Sequence, residues 1–197
     1  MAVARKAPLR AVKVPAAIYQ LRIELLYVEP AVWRRILVPG AMKLHQLHAA
    51  LQWTMGWAGG HLHEFVIGPN HYGEPDPYYD TPPEVQREDR VTLAAALDAR
   101  KSFIYLYDFG DGWEHRVSVD KILPPDPRLK LPLCLDGANA CPPEDVGGPP
   151  GYADFMEAIN DPKHEEHEAM LEWRGGSFDP TAFRLDDINA ALHQFKL

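Results

Sequence analysis

Little in this 197-residue chain offers ready-made chemistry. Cysteine is scarce: Cys134 and Cys141 are the only two, too few for a disulfide framework and not spaced as a CxxC pair. Both are expected as reduced thiols near one loop. Basic charge is in deficit, with 20 Lys and Arg against 28 Asp and Glu and a net charge of −8. That disfavours a nucleic-acid binder, which usually shows a basic footprint. No apolar run approaches the roughly 20 residues of a membrane helix. The basic opening MAVARKAPLRAVKVPAA leads into no apolar secretory core, so a cytoplasmic protein is expected. Neither GxSxG nor GxGxxG occurs. HEEHE at 164–168 departs from the zinc-protease signature, because Glu168 stands where the second histidine belongs.

What is present describes a globular domain. Apolar residues make up 46% and charged residues 24% of the chain, the balance of a soluble protein, and the length suffices for a sizeable core. Residues 1–16 read as a flexible arm. In IYQLRIELLYV, Tyr19, Leu21, Ile23 and Leu25 alternate with polar residues, which predicts a half-buried strand. VWRRILVPG is the expected hairpin partner, with Val32, Ile36 and Val38 on one face. The period then changes: Leu44, Leu47, Leu51 and Met55 form one helical stripe, ended by Gly56. HLHEFVIG reads as a third strand, 69–90 as a Pro- and Tyr-rich surface excursion, and TLAAAL as a short helix. SFIYLYDFG and WEHRVSVDKIL form a second hairpin.

A Pro/Gly-rich loop at 124–151 separates this β-rich core, 17–123, from a helical tail at 152–197. Asp179-Pro180 is an apt N-cap and first-turn pair for the last of three tail helices. The order predicts an α+β class: a mainly antiparallel, β-grasp-like sheet packed on one helix, followed by a C-terminal helical segment.

The stretch YLYDFGDGWEH at 105–115 concentrates polar groups between apolar runs. Asp111-Gly112 suits a two-residue type I′ turn, which needs positive φ at both central positions. That turn pairs Gly110 with Trp113, Phe109 with Glu114, Asp108 with His115 and Leu106 with Val117. Asp108 and His115 then become cross-strand neighbours, serving either as a structural pair or as part of a site.

Two strand positions apart, His61 and His63 are expected on one face. Together with Asp108 and His115 they are candidate ligands for a divalent metal such as zinc, iron or manganese, although no cofactor is required by the pattern. The alternative has His61 capping the preceding loop, His63 as a satisfied interior imidazole and Asp108–His115 as a structural pair, with His48 on the helix stripe expected as a packed core histidine. Glu144 and Asp145, in ACPPEDVGGPPGY, form a candidate acidic loop. Its glycines open a helix as an anion site would, but the adjacent carboxylates repel phosphate and no P-loop lysine follows. Arg22, Arg34 and Arg35 are candidate nucleic-acid contacts. Tyr72, Tyr78 and Tyr79 are candidate partner contacts in the long excursion.

The motifs PAVWRRILVPG, LHQLHAALQWTMGW, HLHEF, YDFGDGWEH and CPPEDVGGPPGY, in that order over residues 17–196, resemble the plasmid pRiA4b open-reading-frame-three-like family. That family is also labelled insertion-element passenger TnpR-like. Its motif positions kept here are His61, His63, Asp108, Asp111, Trp113, His115, Cys141, Glu144 and Asp145. The resemblance implies an α+β domain often found near mobile elements, and it brings no catalytic residue to carry over. The recombinase sense of the TnpR label finds no serine-recombinase arrangement in the chain.

Three readings of function follow. The first is a non-enzymatic module that binds a protein or peptide. The second is a metal-dependent hydrolase or nuclease on the His/Asp cluster, with Glu144 or Asp145 as base. The third is a nucleic-acid-binding accessory protein.

Overall fold

The computed structural model describes residues 16–75 and 84–194. Its centre is an eight-stranded sheet built from β1 (Ile18–Leu25), β2 (Trp33–Pro39), β3 (His63–Ile67), β4 (Asn70–Gly73), β5 (Val85–Arg87), β6 (Ser102–Tyr107), β7 (Trp113–Leu123) and β8 (Leu133–Ala138). The strand order is β5-β4-β3-β6-β7-β1-β2-β8. Every neighbouring pair is antiparallel except β4 with β5. Five helices complete the mixed α+β architecture: α1 (Leu44–Met55), α2 (Leu93–Leu97), α3 (Gly148–Asn160), α4 (His167–Arg174) and α5 (Leu185–Leu192). The β-grasp likeness finds no support in this order, since β1 lies antiparallel to both β7 and β2. No helix among the described residues is long and apolar enough to cross a membrane.

The α1 stripe forms as its 3.6-residue spacing predicts. Leu44, Leu47, Leu51 and Met55 are buried, and they join Leu21, Ile23, Ile36 and Phe65 in one hydrophobic cluster. Each such side chain removed from water stabilises the fold by roughly 1.5–3 kcal/mol. Gly56 ends α1 in the left-handed conformation, φ 93°, which glycine adopts without a Cβ penalty. The β1 alternation shifts at a bulge between Gln20 and Leu21. Ile18 and Leu21 are therefore both buried, while Tyr19, expected inward, is only half-buried.

Two stretches read as irregular contain strands. The excursion at 69–90 supplies β4 and β5, and the Pro/Gly loop supplies β8, which pairs with β2 at the sheet edge. Neither has a clean alternating pattern, because both lie at or beside an edge, where only partial burial is demanded. Helix α5 is held on β8 by Asn189, whose amide brackets the Cys134 backbone at 2.8 and 3.0 Å. Asp179 caps a turn by accepting from the Thr181 amide and hydroxyl. The last helix begins only at Leu185, later than the Asp-Pro pair predicts.

Candidate functional site

The turn after β6 holds five residues, not two. Tyr107 pairs with Trp113, and His115 faces Tyr105 rather than Asp108. Asp108 makes this turn itself. Its φ is 54°, its Oδ1 accepts the amides of Gly110 and Asp111 at 3.0 and 3.3 Å, and its carbonyl accepts the Gly112 amide at 2.6 Å. An aspartate that satisfies its own turn amides competes well with the Asp-Gly hairpin signal. The register differs by three residues from the two-residue expectation, and an odd shift exchanges faces. Phe103, Tyr105 and Tyr107 are consequently buried with Trp113, His115 and Val117, while Ile104 and Leu106 sit half-buried on the other face.

Onto this turn folds the segment before α3. The Trp57 indole donates to the Pro142 carbonyl at 2.9 Å. Glu144 accepts the Tyr107 hydroxyl at 2.6 Å and the Ala58 amide at 3.0 Å. The Gly147 amide donates to Asp111 at 3.2 Å. Gly148 passes so close that a Cβ would stand 2.1 Å from the Asp111 carbonyl oxygen. The glycine pair thus serves backbone docking, and the helix start meets a carboxylate of the chain itself.

Docking brings three residues together. His61 lies between two carboxylates, with Nδ1 3.5 Å from Asp108 Oδ2 and Nε2 3.1 Å from Asp145 Oδ1. One ligand atom from each falls within 4.8 Å of the others. Asp108 is buried to 8% exposure, and among the described residues its Oδ2 makes no hydrogen bond. Asp145 and the neighbouring Leu62 and Phe109 are exposed. Two carboxylates and one imidazole carry excess negative charge that a divalent cation would balance. This N/O donor set suits zinc, manganese or iron and leaves coordination positions open to solvent.

The other candidate ligands are elsewhere. His61 precedes β3, so it does not share a strand face with His63. His63 contacts Glu88 at 2.8 Å and stacks on His48, centroids 3.5 Å apart and planes 9° from parallel. Burial first, then the adjacent His63, holds the pKa of His48 to about 3, and its Nδ1 meets the Tyr105 hydroxyl at 2.7 Å. His115 is fully buried, with Nδ1 3.2 Å from the Tyr105 carbonyl and its ring edge-on to Trp57. Desolvation brings its pKa to about 4. His48, His63 and His115 are thus packed against interior partners, and His115 Nε2 has no hydrogen-bond partner among the described residues.

Nor do the arginines form a patch. Arg34 is 3% exposed, and its guanidinium donates to the carbonyls of Trp33, Thr54, Ala138 and Asn139. It shares strand parity with Val32, Ile36 and Val38, which is the signal that places it inward. Arg35 is paired with Asp120 at 3.0 Å and Asp136 at 3.6 Å. Arg22 lies over Trp33 at 4.3 Å and beside Glu24 at 3.8 Å. Tyr72 is buried on β4, since its side of the strand faces the core, and it presents no contact surface. Tyr78 and Tyr79 lie outside the described residues. Sequence reasoning missed Tyr107 and Ala58, whose contacts with Glu144 no local pattern announces.

These features define a mixed α+β protein in which one loop, one turn and one helix approach build an open His/Asp corner. The sequence profile of the plasmid pRiA4b ORF-3-like proteins matches residues 17–187. An uncharacterised protein, y4hQ, of Sinorhizobium fredii is 43% identical over 180 residues, covering 90% of this chain and 91% of that one. The crystal structure of a protein of unknown function, MM3350, from Methanosarcina mazei Go1 superposes with a TM-score of 0.76 at 36% identity. That match covers 87% of this chain and 97% of the other. The chain belongs to the plasmid pRiA4b ORF-3-like family.

Proposed function

We propose that this protein is a metal-dependent binding module. A divalent cation held by His61, Asp108 and Asp145 presents its open coordination positions to a carboxylate or carbonyl group of a protein partner. The observation that supports this reading is the approach of three ligand atoms to within 4.8 Å of one another. The corner is shallow on the side of Asp145, and an exposed apolar side chain neighbours two of its ligands: Leu62 beside His61 and Phe109 beside Asp108. Such a rim suits a protein surface better than an enclosed small substrate. Glu144 has a structural task in this arrangement, its carboxylate tying the Tyr107 hydroxyl to the Ala58 amide. A nucleic-acid role is weakened in turn by the engagement of Arg34 with backbone carbonyls.

The test is elemental analysis and calorimetric titration with Zn²⁺ and Mn²⁺ on untagged protein stripped with chelator. One ion per chain is expected, lost in His61→Ala and Asp145→Asn and retained in His63→Ala. Protein that takes up no ion after reconstitution defeats the proposal. Turnover of a simple phosphodiester or ester by the loaded protein would replace the module with a hydrolase.

A further inference from the structure

A hollow of about 480 Å³ is lined by α1, the segment that follows it and Glu144, the sequence neighbour of Asp145. Its lining residues include Trp53, Trp57, Gln52, His48 and Glu144. Gln52 is 4% exposed. Its Nε2 donates to the Tyr105 hydroxyl at 2.9 Å, but its Oε1 is buried with no hydrogen-bond partner among the described residues. A buried acceptor left in that state is costly, and a donor that reached it would recover that cost. Gly59, with φ 73°, covers this oxygen without a side chain. The site its Cβ would occupy is 3.6 Å from Gln52 Cγ, 3.7 Å from His48 Nε2 and 3.9 Å from Gln52 Oε1.

Charge narrows the ligand. Among the described residues no lysine or arginine lines the hollow. His48 brings no positive charge at neutral pH, since burial and its neighbour His63 keep its pKa near 3. What remains is one carboxylate, one unpaired amide oxygen and one open aromatic face, that of Trp53 at 47% exposure, since Trp57 is 6% exposed and stacked on Tyr107. Electron-rich indole faces attract organic cations, and a planar guanidinium stacks on them while its several N–H groups reach different acceptors.

We infer that this hollow binds the guanidinium of an arginine side chain carried by a peptide, its plane against Trp53 and its N–H groups directed to Gln52 Oε1 and Glu144. An extended peptide fits an opening edged by an exposed indole, and the volume exceeds what one side chain fills. The inference does not depend on the metal corner.

The test titrates acetyl-Gly-Arg-Gly-amide into the full chain in the presence of chelator, following the indole N–H resonances of Trp53 and Trp57. Both are expected to shift in a saturable way. The citrulline counterpart, which keeps the shape and loses the charge, should bind at least about tenfold more weakly, as should Trp53→Ala, while Trp53→Phe retains part of the affinity. Trp53 is half-exposed, so these variants fold. No saturable shift, equal binding of the citrulline peptide, or unchanged affinity in Trp53→Ala overturns the inference. Tighter binding of free agmatine than of the peptide overturns the peptide source in favour of a small guanidino compound.

Discussion

Tyr107 and Glu144, 37 positions apart, meet through a 2.6 Å hydrogen bond from the phenol to the carboxylate. Each of the three converging ligands lies close in sequence to this contact. Asp108 follows Tyr107, Asp145 follows Glu144, and His61 follows Ala58, whose amide donates to the other Glu144 oxygen. One carboxylate therefore ties together the three segments that supply the corner. Burial first, and the facing carboxylate second, hold the Tyr107 phenol well above its ordinary pKa, so it stays a donor.

Tyr107→Phe removes this bond and strands a partly buried carboxylate oxygen. A loss of about 1.5–3 kcal/mol is expected for a hydrogen bond to a charged group, read from the urea midpoint. If the corner takes a cation, its affinity should fall in the same variant. Unchanged stability would show that Glu144 finds water or another donor without strain.

Arg34 is the second polar anchor, joining β2 to the end of α1 and to the segment after β8. Arg34→Met keeps most of the apolar volume but leaves several carbonyls without a donor, and at least about 3 kcal/mol should be lost. Arg22→Ser, on the solvent side of the sheet, should cost about 1 kcal/mol or less. Denaturant unfolding of the two variants compares an inward with an outward arginine near one strand pair.

Acid should weaken the fold through its interior imidazoles. Burial lowers the pKa of His115 to about 4 and that of His48 to about 3, against about 6.5 in an unfolded chain. The unfolded chain therefore binds protons in that interval that the folded chain refuses. Stability is complete above pH 6.5 and falls as the pH drops toward 4, by an amount on the order of 3 kcal/mol for His115 alone. Thermal melts from pH 7 to 4.5 measure the slope, and His115→Phe should flatten it.

Gly148→Ala tests the docking of the pre-α3 segment. The new Cβ would meet the Asp111 carbonyl oxygen at 2.1 Å, with φ at 70°, and a loss of about 3 kcal/mol or more is expected. Gly175→Ala provides the contrast. Its φ is 81° but among the described residues nothing lies within 4 Å of its Cβ position, so only the left-handed penalty of about 1–2 kcal/mol applies. Melting temperatures of the pair separate collision from backbone strain.

Much of the framework is legible from local pattern. The α1 stripe, its Gly56 stop and the inward set Val32, Ile36 and Val38 follow from periodicity, because burial of one face imposes that spacing wherever it occurs. The same rule places Arg34, between Val32 and Ile36, inside. The hairpin register is less legible, because Asp111-Gly112 and Asp108 both encode turns and differ in parity. Strands β5 and β8 have almost no periodic signal, since their positions at the sheet edge constrain them weakly.

Sequence alone determined the α+β class, the family resemblance and the pool of polar residues from which a site is built. Only the tertiary structure decided how that pool divides. His61, Asp108 and Asp145 meet because a five-residue turn and a glycine-bearing segment pack against each other, while His63, His115 and Arg34 turn inward to partners on other strands and helices. The distinction rests on contacts between residues far apart in the chain, and neither helical nor strand periodicity extends across such separations.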